Sequence, residues 1–331
     1  MEKKRILTGD RTTGPLHLGH LVGSLQNRVR LQDEYDTFIL LADVQALTTH
    51  YQNPALMAES IYQVAIDNLA AGLDPEKITL IQQSRVAAIA ELTVFYSMLV
   101  SVNVLRHNPT VKTEAAQYGY NDLTYGFLGY PVSQAADITF CNADLVPVGG
   151  DQLPHMELAR KIARRFNELY AQGGELVKVP RELLSATPRL PGLDGNSKMG
   201  KSLGNAVYLS DDVDTVDRKI HSAVTDVNRI AVTDRGNPDI CTVYAYHKAF
   251  NEGEQADISH MCRSAQIGCV ACKKRLAAKL NELLAPMREK RAYYGRHRDE
   301  VRALILAGSE KANRIGNETM DRAREAMRLA I

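Results

Sequence analysis

Two histidines and two lysines carry the strongest chemical signal in this chain. His17 and His20 lie either side of Gly19 in the string Gly14-Pro15-Leu16-His17-Leu18-Gly19-His20. Lys198 and Lys201 enclose Met199 and Gly200 in Ser197-Lys198-Met199-Gly200-Lys201-Ser202-Leu203. Imidazoles at a helix start on one side of a triphosphate, with mobile ammonium groups on the other, are what transfer of an AMP group requires. Such chemistry consists largely of positioning and of neutralising charge on phosphate oxygens. The first string follows a strand candidate, Arg5-Ile6-Leu7-Thr8-Gly9, and opens a helix, so its glycines suit close backbone approach to an anion. The second follows Pro191-Gly192-Leu193-Asp194-Gly195-Asn196, a turn-rich stretch suited to closing over a nucleotide. Taken singly, one string is matched by a surface histidine pair and the other by a solvated loop. Their order and context point to adenylate formation.

Three polar groups lie between the two strings. Tyr130, Gln134 and Asp137 stand at helical spacing and share one face. A phenol, an amide and a carboxylate together are costly to bury unless a ligand or partner satisfies them. Val146-Pro147-Val148-Gly149-Gly150-Asp151-Gln152 reads as a strand and glycine turn opening the helix Leu153 to Tyr170. Asp151 and Gln152 then point from a helix start towards a cleft, although capping alone also explains Asp151. Gln45 follows the apolar run that ends at Ala42, where open sheets place their ligands.

Cys241, Cys262, Cys269 and Cys272 are spaced Cys-x20-Cys-x6-Cys-x2-Cys. Four thiolates in this pattern suit an all-thiolate zinc site or an iron–sulfur cluster, and spacing does not separate the two. Cys141 lies apart and reads as core packing.

Elements that could position these groups follow from periodicity. Thr37-Phe38-Ile39-Leu40-Leu41-Ala42 is a nearly continuous apolar run, as for a strand buried on both faces. Asn53 and Pro54 predict a helix start, with Asn53 as N-cap. Ile61, Val64, Ala65 and Leu69 form its apolar stripe and Gly72 lies near its end. Ile78 to Ile81 is a further strand, and Ala87 to Val102 a further helix. Repetition of strand and crossover helix predicts an α/β fold with a doubly wound, Rossmann-like parallel sheet over residues 1–205. Residues 206–331 predict an all-helical second domain, with helices Lys273 to Met287, Arg298 to Ala307 and Met320 to Ala330. At 331 residues two domains are the expected number. No apolar run approaches the roughly 20 residues that span a bilayer, and none follows Met1 to Arg5 as in a signal peptide. The odd cysteine count suits a reducing compartment, so the expectation is cytoplasmic. A net charge of +1 excludes no partner, because a nucleic acid needs only a local basic face.

The two strings resemble the HIGH and KMSKS signatures of the class I aminoacyl-tRNA synthetases. With Thr8 to Gly14, Ala42 to Thr49, Tyr130 to Ile138 and Val146 to Glu157 added, the resemblance narrows to the tryptophanyl-tRNA synthetases over essentially the whole chain. That resemblance implies catalysis by His17, His20, Lys198 and Lys201. It implies ATP binding by Arg11, Thr12, Gly19, His20, Asp151, Lys198, Met199, Lys201 and Ser202. Tyr130 and Gln152 are implied to hold the amino acid's ammonium and carboxylate, and Asp151 to meet the ribose. Asp137 is implied to accept an indole N–H, with Gln134 and Gln45 beside it. The partners implied are L-tryptophan, ATP with Mg and tRNA(Trp), and the assembly a homodimer. The cysteines resemble those of a subset carrying a 4Fe–4S cluster in the anticodon-binding domain, with zinc the rival metal. Lys273, Lys274 and Arg275 would then face RNA. The chain departs from the family at Thr12, Gln45, Gln134, Gly150 and Gly200. Tyr-x3-Gln-x2-Asp is also a tyrosyl-tRNA synthetase arrangement, so a tyrosine-tRNA ligase stays open. A small-molecule nucleotidylyltransferase and a non-catalytic descendant stay open as well.

Overall fold

Phe38 and Leu40 enter one apolar core with Leu7, Val132 and Phe166, whereas Ile39 and Leu41 enter another with Leu21, Val64 and Leu69. This alternation is what a run buried on both faces of a sheet requires. In the computed structural model, which describes residues 3–184, 190–196 and 199–330 apart from the side chains of Asp151 and Ser202, that run is the second strand of a parallel sheet. The strands among the described residues are β1 (Arg5–Arg11), β2 (Asp36–Ala42), β3 (Ile78–Gln82), β4 (Leu145–Val148) and β5 (Arg181–Leu184). Their order across the sheet is β3-β2-β1-β4-β5, and every pairing is parallel. The chain therefore reverses its direction of travel between β1 and β4, which makes the crevice above those strand ends the binding position of this architecture. β1 and β4 share a single register pair, Ile6 with Leu145. β5 is absent from the sequence expectation: two of its four residues are charged, and pairing with β4 makes it a strand.

The helices follow expectation, with adjustments. The helix Ala55–Ala70 has Pro54, not Asn53, at its N-cap position, and Gly72 follows it at φ +114°. The helix expected over Ala87 to Val102 divides into Ala87–Ser97 and Val102–Arg106, because Ser101 caps the second piece through its hydroxyl. The two C-terminal helices are one, Arg298–Ala326. Gly308 and Gly316 are contact points within it. A Cβ at Gly308 would overlap the Leu80 carbonyl oxygen, and one at Gly316 would lie 2.8 Å from Ala88 Cβ.

The chain beyond residue 205 is helical: Val213–Ser222, Thr242–Phe250, Gln255–Arg263, Cys269–Arg296 and Arg298–Ala326. It packs on the sheet, since Leu276, Leu280, Val301 and Ile305 share the core of Leu16, Ile39 and Val64. No helix among the described residues is long and apolar enough to cross a membrane.

Close packing at Gly308 sets a test. Gly308→Val drives a branched side chain into the β3 backbone and should destabilise by about 1–3 kcal/mol, whereas Ala303→Val on the exposed face should not. Thermal unfolding of the two variants checks this; equal midpoints would refute the contact.

Candidate active site

β1 ends at Arg11, and the chain then turns through Thr12 to Leu16 into a helix whose first turn, Leu18–His20, continues through a π segment, Leu21–Leu25, into Gln26–Leu31. His17 occupies the N-cap position, its backbone N–H donating to His20 Nδ1 at 3.2 Å, and the two rings lie 3.9 Å apart. Gly19 is required by space. A Cβ there would stand 2.9 Å from the His17 ring and 3.6 Å from Met199 Cβ, so the lysine loop lies against the glycine face.

Backbone hydrogen bonds join the histidine string to the segment that follows the lysine string. Leu18 N–H donates to Val207 O at 2.9 Å, Leu209 N–H donates to Leu16 O at 2.9 Å, and His17 bridges Tyr208 between them. Lys201 reaches across, its Nζ donating to Gly14 O at 2.6 Å. Desolvation pulls the Lys201 ammonium down to about 8, with Asp10 favouring its charge and Arg11 opposing it. Beneath this cleft the buried Arg28 guanidinium donates to Asp10 at 2.6 Å and to Asn68 at 2.9 Å. Burial alone would raise the Asp10 carboxyl; Arg28 overcomes it and holds the group at about 2. Lys198 lies outside the described residues. Gly200 is extended at φ −147°, and its N–H donates to Asn205 Oδ1 at 3.0 Å.

The polar trio stands on the helix Tyr125–Thr139, with Tyr130 and Asp137 buried and Gln134 half-buried. Tyr130 Oη is 3.2 Å from His155 Nε2, and desolvation followed by the Glu114 carboxylate pushes the phenol up. Glu114 pairs with Arg11 at 2.9 Å, which links this pocket to the end of β1. Thr12 is fully buried, and its hydroxyl has no hydrogen-bond partner among the described residues. Asp137 accepts from Gln83 Nε2 at 2.8 Å. Desolvation raises its carboxyl to about 7, Gln83 countering the rise and the Asp43 charge adding to it. Gln45 lies on the helix Asp43–His50, its N–H donating to Gln83 Oε1 at 3.0 Å. Asp151 and Gln152 occupy the tight turn Gly150–Gln152 between β4 and the helix Leu153–Tyr170, as the glycine turn predicts.

Sequence reading passed over Gln83, Asp43, Glu114 and His155. Gln83 had a usable signal, because it follows a buried strand as Gln45 and Asp43 follow β2. Glu114 and His155 lie within regular helices and had none.

The four late cysteines line one pocket, with Asp226, Arg229 and Ile267. Arg229 NH1 is 4.0 Å from both Cys262 Sγ and Cys269 Sγ, and Cys272 Sγ is 3.5 Å from His247 Nε2. Burial raises the thiols of Cys241 and Cys262, and that of Cys272 to about 12. Among the described residues, no three ligating side chains converge closely enough to hold a single metal ion. Lys274 and Arg275 are exposed beside this pocket, while Lys273 Nζ donates to His221 O at 2.8 Å. Cys141 is fully buried in the core, as expected.

Residues 1–285 match the family model described as tRNA synthetases class I (W and Y). The chain is 47% identical to a tryptophan–tRNA ligase of Lactococcus lactis, over 99% of this chain and 98% of the relative. It is 48% identical to one of Streptococcus pyogenes over the same shares. Its structure is similar to the crystal structure of tryptophanyl-tRNA synthetase from Campylobacter jejuni complexed with ADP and tryptophan. The TM-score is 0.86 at 28% identity, covering 98% of this chain and all of the other.

The Lys201 environment can be read directly. After reductive methylation, the NMR resonance of Lys201 should titrate near pH 8. Lys201 is thus charged below pH 8 and neutral above it. A triphosphate should move its titration upward. Titration of Lys201 together with the exposed lysines would mean that it is solvated.

Proposed function

The chain belongs to the tryptophanyl-tRNA synthetases of class I and has the function of a tryptophan–tRNA ligase; from that premise we propose how its own residues share the reaction. In the first step the tryptophan carboxylate attacks the α-phosphate of MgATP, forming tryptophanyl-adenylate as the bond to pyrophosphate breaks. In the second, a terminal ribose hydroxyl of tRNA(Trp) attacks the acyl carbon and AMP leaves. His17 and His20 meet the phosphates, and Lys198 and Lys201 neutralise the departing pyrophosphate. Arg11, Thr12, Gly19, Met199 and Ser202 line the nucleotide, and Asp151 meets its ribose. Tyr130 and Gln152 hold the ammonium and carboxylate of the amino acid, while Asp137 accepts the indole N–H beside Gln134 and Gln45.

One observation carries this reading: Lys201 Nζ already spans the cleft to the Gly14 carbonyl. The two signatures therefore close on one space, and a pyrophosphate entering it would take over the ammonium.

We further propose a 4Fe–4S cluster held by Cys241, Cys262, Cys269 and Cys272. In support, the four thiols line one pocket. A Cβ on Gly236 would stand 2.5 Å from Cys262 Sγ, so the wall is shaped around that sulfur. Once bound, the cluster would supply a rigid cross-link between the start of the helix Cys269–Arg296 and the preceding loops. Exposed Lys274 and Arg275 beside it support docking of tRNA on this face. The catalytic domain is taken as residues 1–205 and the anticodon-binding domain as 206–331, in the cytoplasm. Val94, Met98, Val102, Val104 and Tyr125 are exposed apolar side chains within one stretch, and they support a homodimer in which a second copy covers them.

ATP–pyrophosphate exchange run with each amino acid tests the assignment. Tryptophan should drive it, and His17→Ala or His20→Ala should lower the rate far more than tryptophan affinity. A preference for tyrosine would overturn the reading. For the cysteines, anaerobically purified protein should be brown. Cys269→Ala should lower tRNA charging well beyond its effect on exchange. Colourless protein with stoichiometric zinc would reject the cluster.

A further inference from the structure

The turn after β3 contributes three consecutive polar side chains to two buried carboxylates. Gln82 Nε2 and Ser84 Oγ donate to Asp43 Oδ2 at 2.8 and 2.5 Å, and Ser84 N–H donates to Asp43 Oδ1 at 2.9 Å. Gln83, between them, faces the other way and donates to Asp137 Oδ1 at 2.8 Å. The turn thus separates two like charges while giving each its own donors.

The orientation of the Gln83 amide is determined by a group that can only donate. Gln45 N–H points at Oε1 at 3.0 Å, so the oxygen must lie on that side. Nε2 is then obliged to face Asp137, and Asp137 is obliged to present an accepting oxygen to it. The side chain is 2% exposed, which removes water as a substitute donor. Gln83 is the hydrogen-bond partner of the Asp137 carboxylate among the described residues. Oδ1 is engaged, and Oδ2 is left for a ligand.

We infer that Gln83 is a positioning residue for amino-acid selectivity, holding Asp137 as an acceptor so that a ring N–H is recognised and a ring without one is refused. This rests on the reading of Asp137 given above. A neutral carboxyl at this position would offer a proton instead of a lone pair, and selectivity for a donor would fall. Asp43 is the charged group that acts on Asp137, and it pushes in the direction of protonation that Gln83 opposes.

Gln83→Met keeps the length of the side chain and removes the donor. Pyrophosphate exchange by the full chain, with tryptophan and with the analogue carrying sulfur in place of the indole nitrogen, gives the readout. The expected result is a KM for tryptophan raised roughly tenfold or more, with the KM for ATP unchanged and the preference over the sulfur analogue reduced. Tryptophan binding needs ionised Asp137, so its KM should rise as pH falls through about 7. Without the Gln83 donor that rise should begin at higher pH. In an Asp137→Asn background Gln83→Met should add little. If Gln83→Met does not fold, Gln83→Leu, which removes the donor without adding a charge, serves the same comparison. Equal losses for tryptophan and ATP, or an unchanged preference over the analogue, would overturn the inference. Asp137→Ala separates the two levels. If it leaves the preference intact, the reading of Asp137 fails; if it abolishes the preference and Gln83→Met does not, only the role of Gln83 fails.

Discussion

Asp67 is fully buried on the helix Ala55–Ala70, and its oxygens are taken by groups from opposite ends of the chain. Oδ2 accepts the Leu16 N–H at 2.7 Å, and Oδ1 pairs with the guanidinium of Arg291 on the helix Cys269–Arg296. An unpaired carboxylate in such a place would be strongly destabilising, on the order of 3–5 kcal/mol when one partner is lost. Leu16 immediately precedes the first histidine, and its carbonyl is claimed in turn by Leu209 N–H. Both backbone polar groups of that residue are therefore committed. The histidine turn cannot shift without breaking a charged hydrogen bond on one side or the link to the segment after the lysine loop on the other.

With the turn fixed, the charges around it acquire distinct tasks from their surroundings. Asp10 and Arg28 neutralise each other under the end of β1, so they contribute rigidity more than net field. Among the described residues Lys201 has a carbonyl oxygen as its hydrogen-bond partner and is left short of solvation. An ammonium in that condition gains more from an arriving phosphate than a hydrated one would, because part of its dehydration has already occurred on folding. Electrostatic preorganisation here is a matter of what each cation has been denied.

Much of this was legible in the chain itself, and the reasons are physical. β2 announces itself as an apolar run because a strand buried on both faces has no polar side to show. Both signatures are contiguous, so their chemistry is written in adjacent residues. β5 was hidden, since Arg181-Glu182-Leu183-Leu184 becomes a strand only by pairing with β4. Gln83 with Asp137, and Glu114 with Arg11, were hidden for a related reason: each pair joins elements far apart in sequence. The single C-terminal helix escaped because its glycines mean close packing, Gly308 on β3 and Gly316 on Ala88, a fact of tertiary structure that local propensity does not carry.

That last helix also resolves a problem any open sheet must face. β3 lies at the edge, where an uncovered strand would offer free N–H and C=O groups to another chain. Arg298–Ala326 covers it closely enough that only glycine fits against Leu80, and Ser309 Oγ accepts the Gln82 N–H at 3.0 Å. The same Gln82 extends its side chain to Asp43, whose charge acts on Asp137. Covering an edge and supporting a selectivity pocket are thus performed through one residue. A helix from the far end of the chain stands two hydrogen bonds from Asp43, because the strand that needed covering is also the strand whose end builds the site.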